Sequence, residues 1–143
     1  MRLELTRQAG YAIRALAWLA ESDAQNGTVE HAARYKSAAI APAAGIPLAF
    51  AARVLSQLRH RGLLQARAGQ QGGYSLARLA QDLSLLDVIE AVEGPLTTQG
   101  CILRDLTCGN GSYCVLHSAW SAAQAAMRTE LARTSLAEVF IRL

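Results

Sequence analysis

The sequence predicts a mainly α fold: a helix-turn-helix, then a two-stranded wing, then a long helix toward the C-terminus. Three observations predict it. Apolar residues make up 52% of the 143 and aromatic ones only 6%, with alanine and leucine abundant, a mixture that favours helices. A short helical stretch, a Gly45-Ile46-Pro47 break and a second helical stretch follow one another. Directly after them, two short runs flank a glycine-rich turn, the pattern of a hairpin.

The first helix is expected over Thr6 to Glu21, where Ala9, Ala12, Ile13, Leu16, Leu19 and Ala20 recur on one face. The polar stretch Ser22 to Gly27 is read as its end, and His31 to Lys36 is ambiguous. Ser37 to Ala44 makes the second helix, in which Pro42 suits a first turn better than a middle. A third runs from Leu48 through Phe50, Val54, Leu55 and Leu58 to Gly62, a residue suited to the position just past a helix end.

Leu63 to Arg67 is the outgoing strand of the wing, Ala68 to Gly73 its turn, and Tyr74 to Leu76 the start of the return. The turn is polar and carries no acidic group, so its backbone amides can approach a phosphate or a minor groove. Ser84 to Val92 forms a fourth helix, capped by Ser84, burying Leu85, Val88, Ile89 and Val92, and stopped at Glu93-Gly94-Pro95. Cys114 to Thr134 is read as the longest helix. Its stripe of Leu116, Trp120, Ala123, Met127 and Leu131 lies close to a heptad seam. Small residues beside that stripe let a partner helix approach closely, which points to a homodimer. Ser135 to Ile141 forms a final short helix.

The net charge of +3 permits a nucleic-acid partner without requiring one. Its placement is more telling: the third helix carries Arg53, Arg59, His60 and Arg61, and the wing Arg67. No continuous apolar run opens the chain, and none approaches the roughly 20 residues of a membrane helix, so a cytoplasmic protein without a membrane partner is expected.

All three cysteines fall within one stretch, Cys101, Cys108 and Cys114, with Gly109 and Gly111 between them and His117 just beyond. An odd number excludes complete internal pairing. Three soft ligands on one loop, ahead of a helix with a fourth, read as a zinc or iron–sulfur site. An i+3 spacing puts Cys114 and His117 on one helical face.

The order of these parts resembles the Rrf-two family of bacterial regulators. The resemblance rests on Met1-Arg2-Leu3, Tyr11 to Leu16, Gly45-Ile46-Pro47, the wing with Gly72-Gly73-Tyr74, Asp87 to Pro95 and the cysteine triplet, and covers essentially the whole chain. It implies a homodimeric winged-helix transcription factor that binds a double-stranded DNA operator, with affinity set by an iron–sulfur cluster, 2Fe–2S more readily than 4Fe–4S. Cys101, Cys108, Cys114 and His117 fall on the ligands of such members. The gaps between the cysteines hold six and five residues, a departure from the equal gaps common in the family. Other members take a carboxylate from the partner's first helix. Gly10 stands there in this chain and has none to offer, leaving Asp105 and Gln8 as substitutes for His117.

The same resemblance assigns DNA contacts to Ala49, Phe50, Ala52, Arg53, Arg59, Arg61, Arg67, Gly72 and Gly73. Ala49 and Ala52 stand where cluster-binding members present polar base-reading side chains. They offer only methyl contact to thymine, whereas Arg53 can grip guanine with two hydrogen bonds. Arg59, His60, Arg61 and Arg67 are phosphate contacts or a solvated face. The implied organisation is a DNA-binding domain over 1–95, a cysteine segment over 96–114, and a dimerisation helix with its cap over 115–143. The alternatives are a winged-helix regulator that uses its thiols directly or binds zinc, and an electron carrier built on the cysteine loop. No nucleophile–base constellation or cofactor-binding glycine motif points to an enzyme.

Overall fold

The computed structural model describes residues 4–26, 33–96 and 115–139. Helix α1 spans Arg7–Asn26. Thr6 caps it, its Oγ1 accepting from Ala9 N at 3.1 Å. Ala9, Ala12, Leu16 and Leu19 turn into the core as their spacing requires. The helix continues past the expected end at Glu21. Ser22 stays helical by donating its hydroxyl to the Trp18 carbonyl at 2.9 Å, and Ala24 propagates the turn. Polarity there does not mark a stop.

Helices α2 (Ser37–Ala43) and α3 (Leu48–His60) meet at 111°. Both end in the same way. Gly45 and Gly62 adopt φ of +63° and +75°, and the next residues close back on the helix, Ile46 N to Ala41 O at 2.8 Å and Leu63 N to Leu58 O at 3.0 Å. Pro42 occupies the last turn of α2, not its first. The bond it forfeits would serve only the carbonyl of Ala38, a residue open to water.

Strands β1 (Leu64–Arg67) and β2 (Gly73–Leu76) pair antiparallel, Leu64 opposite Leu76 and Arg67 opposite Gly73. The ambiguous stretch before α2 adds to this wing: Tyr35 forms an isolated bridge with Tyr74, and its ring meets Trp18 edge-on at 4.8 Å.

Helix α4 spans Leu85–Glu93, with a reciprocal cap between Ser84 and Asp87 and a stop at Gly94, φ +86°. Val88 and Ile89 are buried, and Leu85 and Val92 pack on the same core. Helix α5, Val115–Arg133, buries no residue. Leu131 near its end touches the core, and Leu85 N donates to Thr134 O at 2.9 Å. Among the described residues α1 is the longer helix, at 20 residues against 19. In place of the expected last helix stands one 3-10 turn, Leu136–Glu138, whose Leu136 is buried. A reciprocal cap between Ser135 and Glu138 starts that turn, and the expected helix beyond Val139 lies outside the described residues. Leu136 shares one core with Leu16, Leu55, Leu83 and Ile89, so the turn after α5 packs with α1, α3 and α4.

Candidate nucleic-acid interface

Helix α3 divides cleanly. Ala51, Val54, Leu55 and Leu58 are buried, while Ala49, Ala52, Arg53, Arg59 and His60 face outward. The 111° turn into α2 leaves this outer face uncovered, which is how a helix-turn-helix presents its second helix to a major groove. Phe50 is 52% exposed, a rare position for so large an apolar ring, and leans on Tyr11 of α1 with centroids 5.9 Å apart. The guanidinium of Arg14 lies 5.1 Å over the other partner of that stack, Tyr11. This α1–α3 aromatic contact escaped the sequence reading; no spacing rule links residues so far apart.

Arg53, Arg59, Arg61 and Arg67 are all exposed, as are Arg34 and Lys36 ahead of α2. Two ion pairs occur among the described residues, Arg128–Glu90 and Arg133–Glu130, and neither draws on α3 or the wing. The arginines of this face are therefore held in no ion pair, although Glu93 lines the groove beside Arg53 and Arg61, and they stay available to an anionic partner. His60 is partly occupied, its Nδ1 lying 2.7 Å from the Ser56 carbonyl. Beside α3 runs an open groove of about 640 Å³, floored by Gln57 and the end of α4 from Ala91 to Gly94.

The wing glycines have structural work of their own. Gly72 is buried, and a Cβ there would lie 2.1 Å from the Arg67 carbonyl oxygen. Gly73, at φ +141°, has the Tyr35 backbone 2.6 Å from where its Cβ would be. The exposed tip is Ala68, Gly69, Gln70 and Gln71.

Cys101, Cys108, Cys114 and Asp105 lie outside the described residues. His117 is exposed in the first turn of α5, its Nε2 3.4 Å from Ser121 Oγ. Among the described residues no three His, Cys, Asp or Glu side chains gather as a metal site. Space is open where a Gly10 side chain would stand. Gln8 is engaged inside its own chain: its Nε2 donates to Gln57 Oε1 of α3 and lies 3.5 Å from the Val92 carbonyl of α4. Among the described residues, no single helix is long and apolar enough to cross a membrane.

Comparison with known proteins agrees with this geometry. The Rrf2 family, described as iron-dependent transcriptional regulators, matches residues 5–141. The chain is 36% identical over 141 residues to Rv1287 of Mycobacterium tuberculosis, assigned to the HTH-type transcriptional regulators, covering 96% of this chain and 81% of that one. The fold is similar to that of IscR from T. potens, with a TM-score of 0.74, 23% identity, and coverage of 95% of this chain and 85% of that one. It is also similar to CymR, the global cysteine regulator of B. subtilis, with a TM-score of 0.73, 20% identity, and coverage of 96% and 95%. An uncovered recognition helix, a paired wing and a match over nearly the whole length lead to one assignment: the chain belongs to the Rrf2 family of DNA-binding, winged-helix transcriptional regulators.

Proposed function

We propose that this regulator acts as a homodimeric repressor whose affinity for a double-stranded operator is set by an iron–sulfur cluster. The cluster is held by Cys101, Cys108, Cys114 and His117. The observation that carries the DNA half is the exposed arginine face of α3 and the wing, none of it held in an ion pair. Arg53 reads a base edge, Ala49, Phe50 and Ala52 touch apolar groups in the groove, and Arg59, Arg61 and Arg67 hold phosphates. Gly72 and Gly73 shape the wing that brings its amides to the duplex.

The donor set carries the sensing half. Three thiolates and an imidazole suit an iron–sulfur centre, 2Fe–2S in preference to 4Fe–4S, and the family's description as iron-dependent agrees with this. When bound, such a cluster supplies a centre responsive to redox state, nitric oxide or iron supply. The chain's own part is mechanical. The cysteines lie between Leu96, after α4, and Val115, which begins α5. The α5 faces of two copies, with Leu116, Ala123 and Met127 uncovered, pair to set the separation of the recognition helices. These must meet grooves about 34 Å apart, so a small change in separation costs contacts at both half-sites.

A second reading keeps the winged helix and uses the thiols directly, or a zinc ion, without a cluster. The similar fold of a protein named as a cysteine regulator favours it. Anaerobic purification and reconstitution, followed by absorbance spectroscopy and iron and sulfide analysis, separates the two. A colourless, iron-free protein would overturn the cluster reading. Binding to a salt-titrated duplex, followed by fluorescence anisotropy, tests the DNA half independently.

A further inference from the structure

We infer that Gln8 is a positioning residue for DNA recognition, joining α3 to the end of α4, which the Arg128–Glu90 pair ties to Leu96. The inference rests on the reading of α3 as the DNA-contacting helix.

Gln8 is half-buried where α1, α3 and α4 meet. Its amide donates to Gln57 on α3 and approaches Val92 O on α4. Gln57 sits one turn from Arg53 on one side and one turn from Arg61 on the other. A shift of its side chain therefore displaces the part of α3 that carries the arginines.

The other end of the connection is at Leu96, the last described residue before the cysteines. Both backbone polar groups of Leu96 are held by one pair. Its N–H donates to Glu90 Oε1 at 3.0 Å, and its carbonyl accepts from Arg128 Nη1 at 3.1 Å. Arg128 also bonds Glu90 directly. The pair is half-exposed, so its contribution is placement more than stability.

Glu90 and Val92 belong to the same nine-residue helix. Its start is fixed by Ser84 and Asp87, and by Leu85 N on Thr134 O. Glu90 and Val92 are only two residues apart, about 3 Å along that helix, so a displacement of one carries the other. Displacing Leu96 thus loads α4, and Gln8 passes that load to α3.

The test has two arms. In the first, hydrogen–deuterium exchange is measured on the DNA-free protein. Arg128→Met should speed exchange of the α3 amides around Gln57 while leaving β1 and β2 unchanged. Glu90→Gln, which keeps the shape, should act alike. Wild-type protection of α3 in both variants overturns the inference. In the second arm, affinity is measured for a duplex selected from a randomised pool. Arg128→Met and Gln57→Leu should depart from the product of their single effects by at least about twofold, as for residues in one network. Strictly multiplicative effects would overturn the connection. A wild-type protein that binds no duplex would refute the reading of α3, and the exchange arm would still judge the connection.

Discussion

The main chains of Tyr35 and Tyr74 exchange two hydrogen bonds, Tyr74 N to Tyr35 O at 2.8 Å and Tyr35 N to Tyr74 O at 3.0 Å. This pairing attaches the wing to the segment that leads into α2. It is possible only because the residue before Tyr74 has no side chain: a Cβ on Gly73 would collide with the Tyr35 backbone.

Gly73→Ala should therefore detach the wing. Its positive φ and the clash together should cost about 1–3 kcal/mol. Urea denaturation gives the loss of stability, and duplex affinity should fall with it. Unchanged stability would mean that the Tyr35 bridge is dispensable.

Arg53 and Arg67 should behave differently when removed. Arg53→Ala should cost about 1–3 kcal/mol on the preferred duplex and little on a scrambled one, relaxing the choice at one base pair. Arg67→Ala should weaken binding to both and lower the salt slope by about 1. Anisotropy titrations at several salt concentrations distinguish the two patterns.

Asp23 should make the fold weaker as pH rises. Burial without a hydrogen-bond partner for Oδ1 pushes its carboxyl above the ordinary 3.8. The folded protein then binds the proton more tightly than the unfolded chain. The resulting stability is complete below 3.8 and is lost as pH climbs through the raised value. Asp23→Asn should raise the urea midpoint at pH 7, with the advantage shrinking toward acid. A constant difference at all pH values would contradict this origin.

Helix α5 leaves Leu116 and Met127 about 40% exposed. Leu116→Glu combined with Met127→Glu should shift the protein toward monomer in sedimentation at micromolar concentration, with its circular dichroism otherwise near native. Tight operator binding should be lost in parallel. A dimer that survives both charges would place the interface elsewhere.

Local chemistry was legible in the sequence. The Ser84 cap, the left-handed glycine at Gly62 and the stop at Gly94 each depend on neighbouring residues, and each stands where spacing put it. The outward residues of α3 were named through the family resemblance and not through a period, and Phe50, read as part of the apolar run, is exposed. The extension of α1 past Glu21 was not legible, because a polar helical turn and a polar loop share a composition. Tyr35 on the wing, Gln8 against Gln57, and Arg128 against Glu90 join residues 38 to 49 positions apart. Such pairings depend on how helices dock, which no local pattern encodes. The cysteine triplet was the clearest chemical signal in the chain, and it lies outside the described residues.

A 19-residue helix with no fully buried residue, tied to its own fold chiefly through Arg128 and Leu131 near its end, draws only part of its stability from the fold beneath it. In the proposed dimer, α5 would gain its partner by mass action, so its order would rise with the number of copies in the cell. The regulator would then respond to its own abundance as well as to its ligand. When scarce, it would present single recognition helices too weak to hold an operator. Once plentiful, it would acquire the paired geometry on which any signal must act.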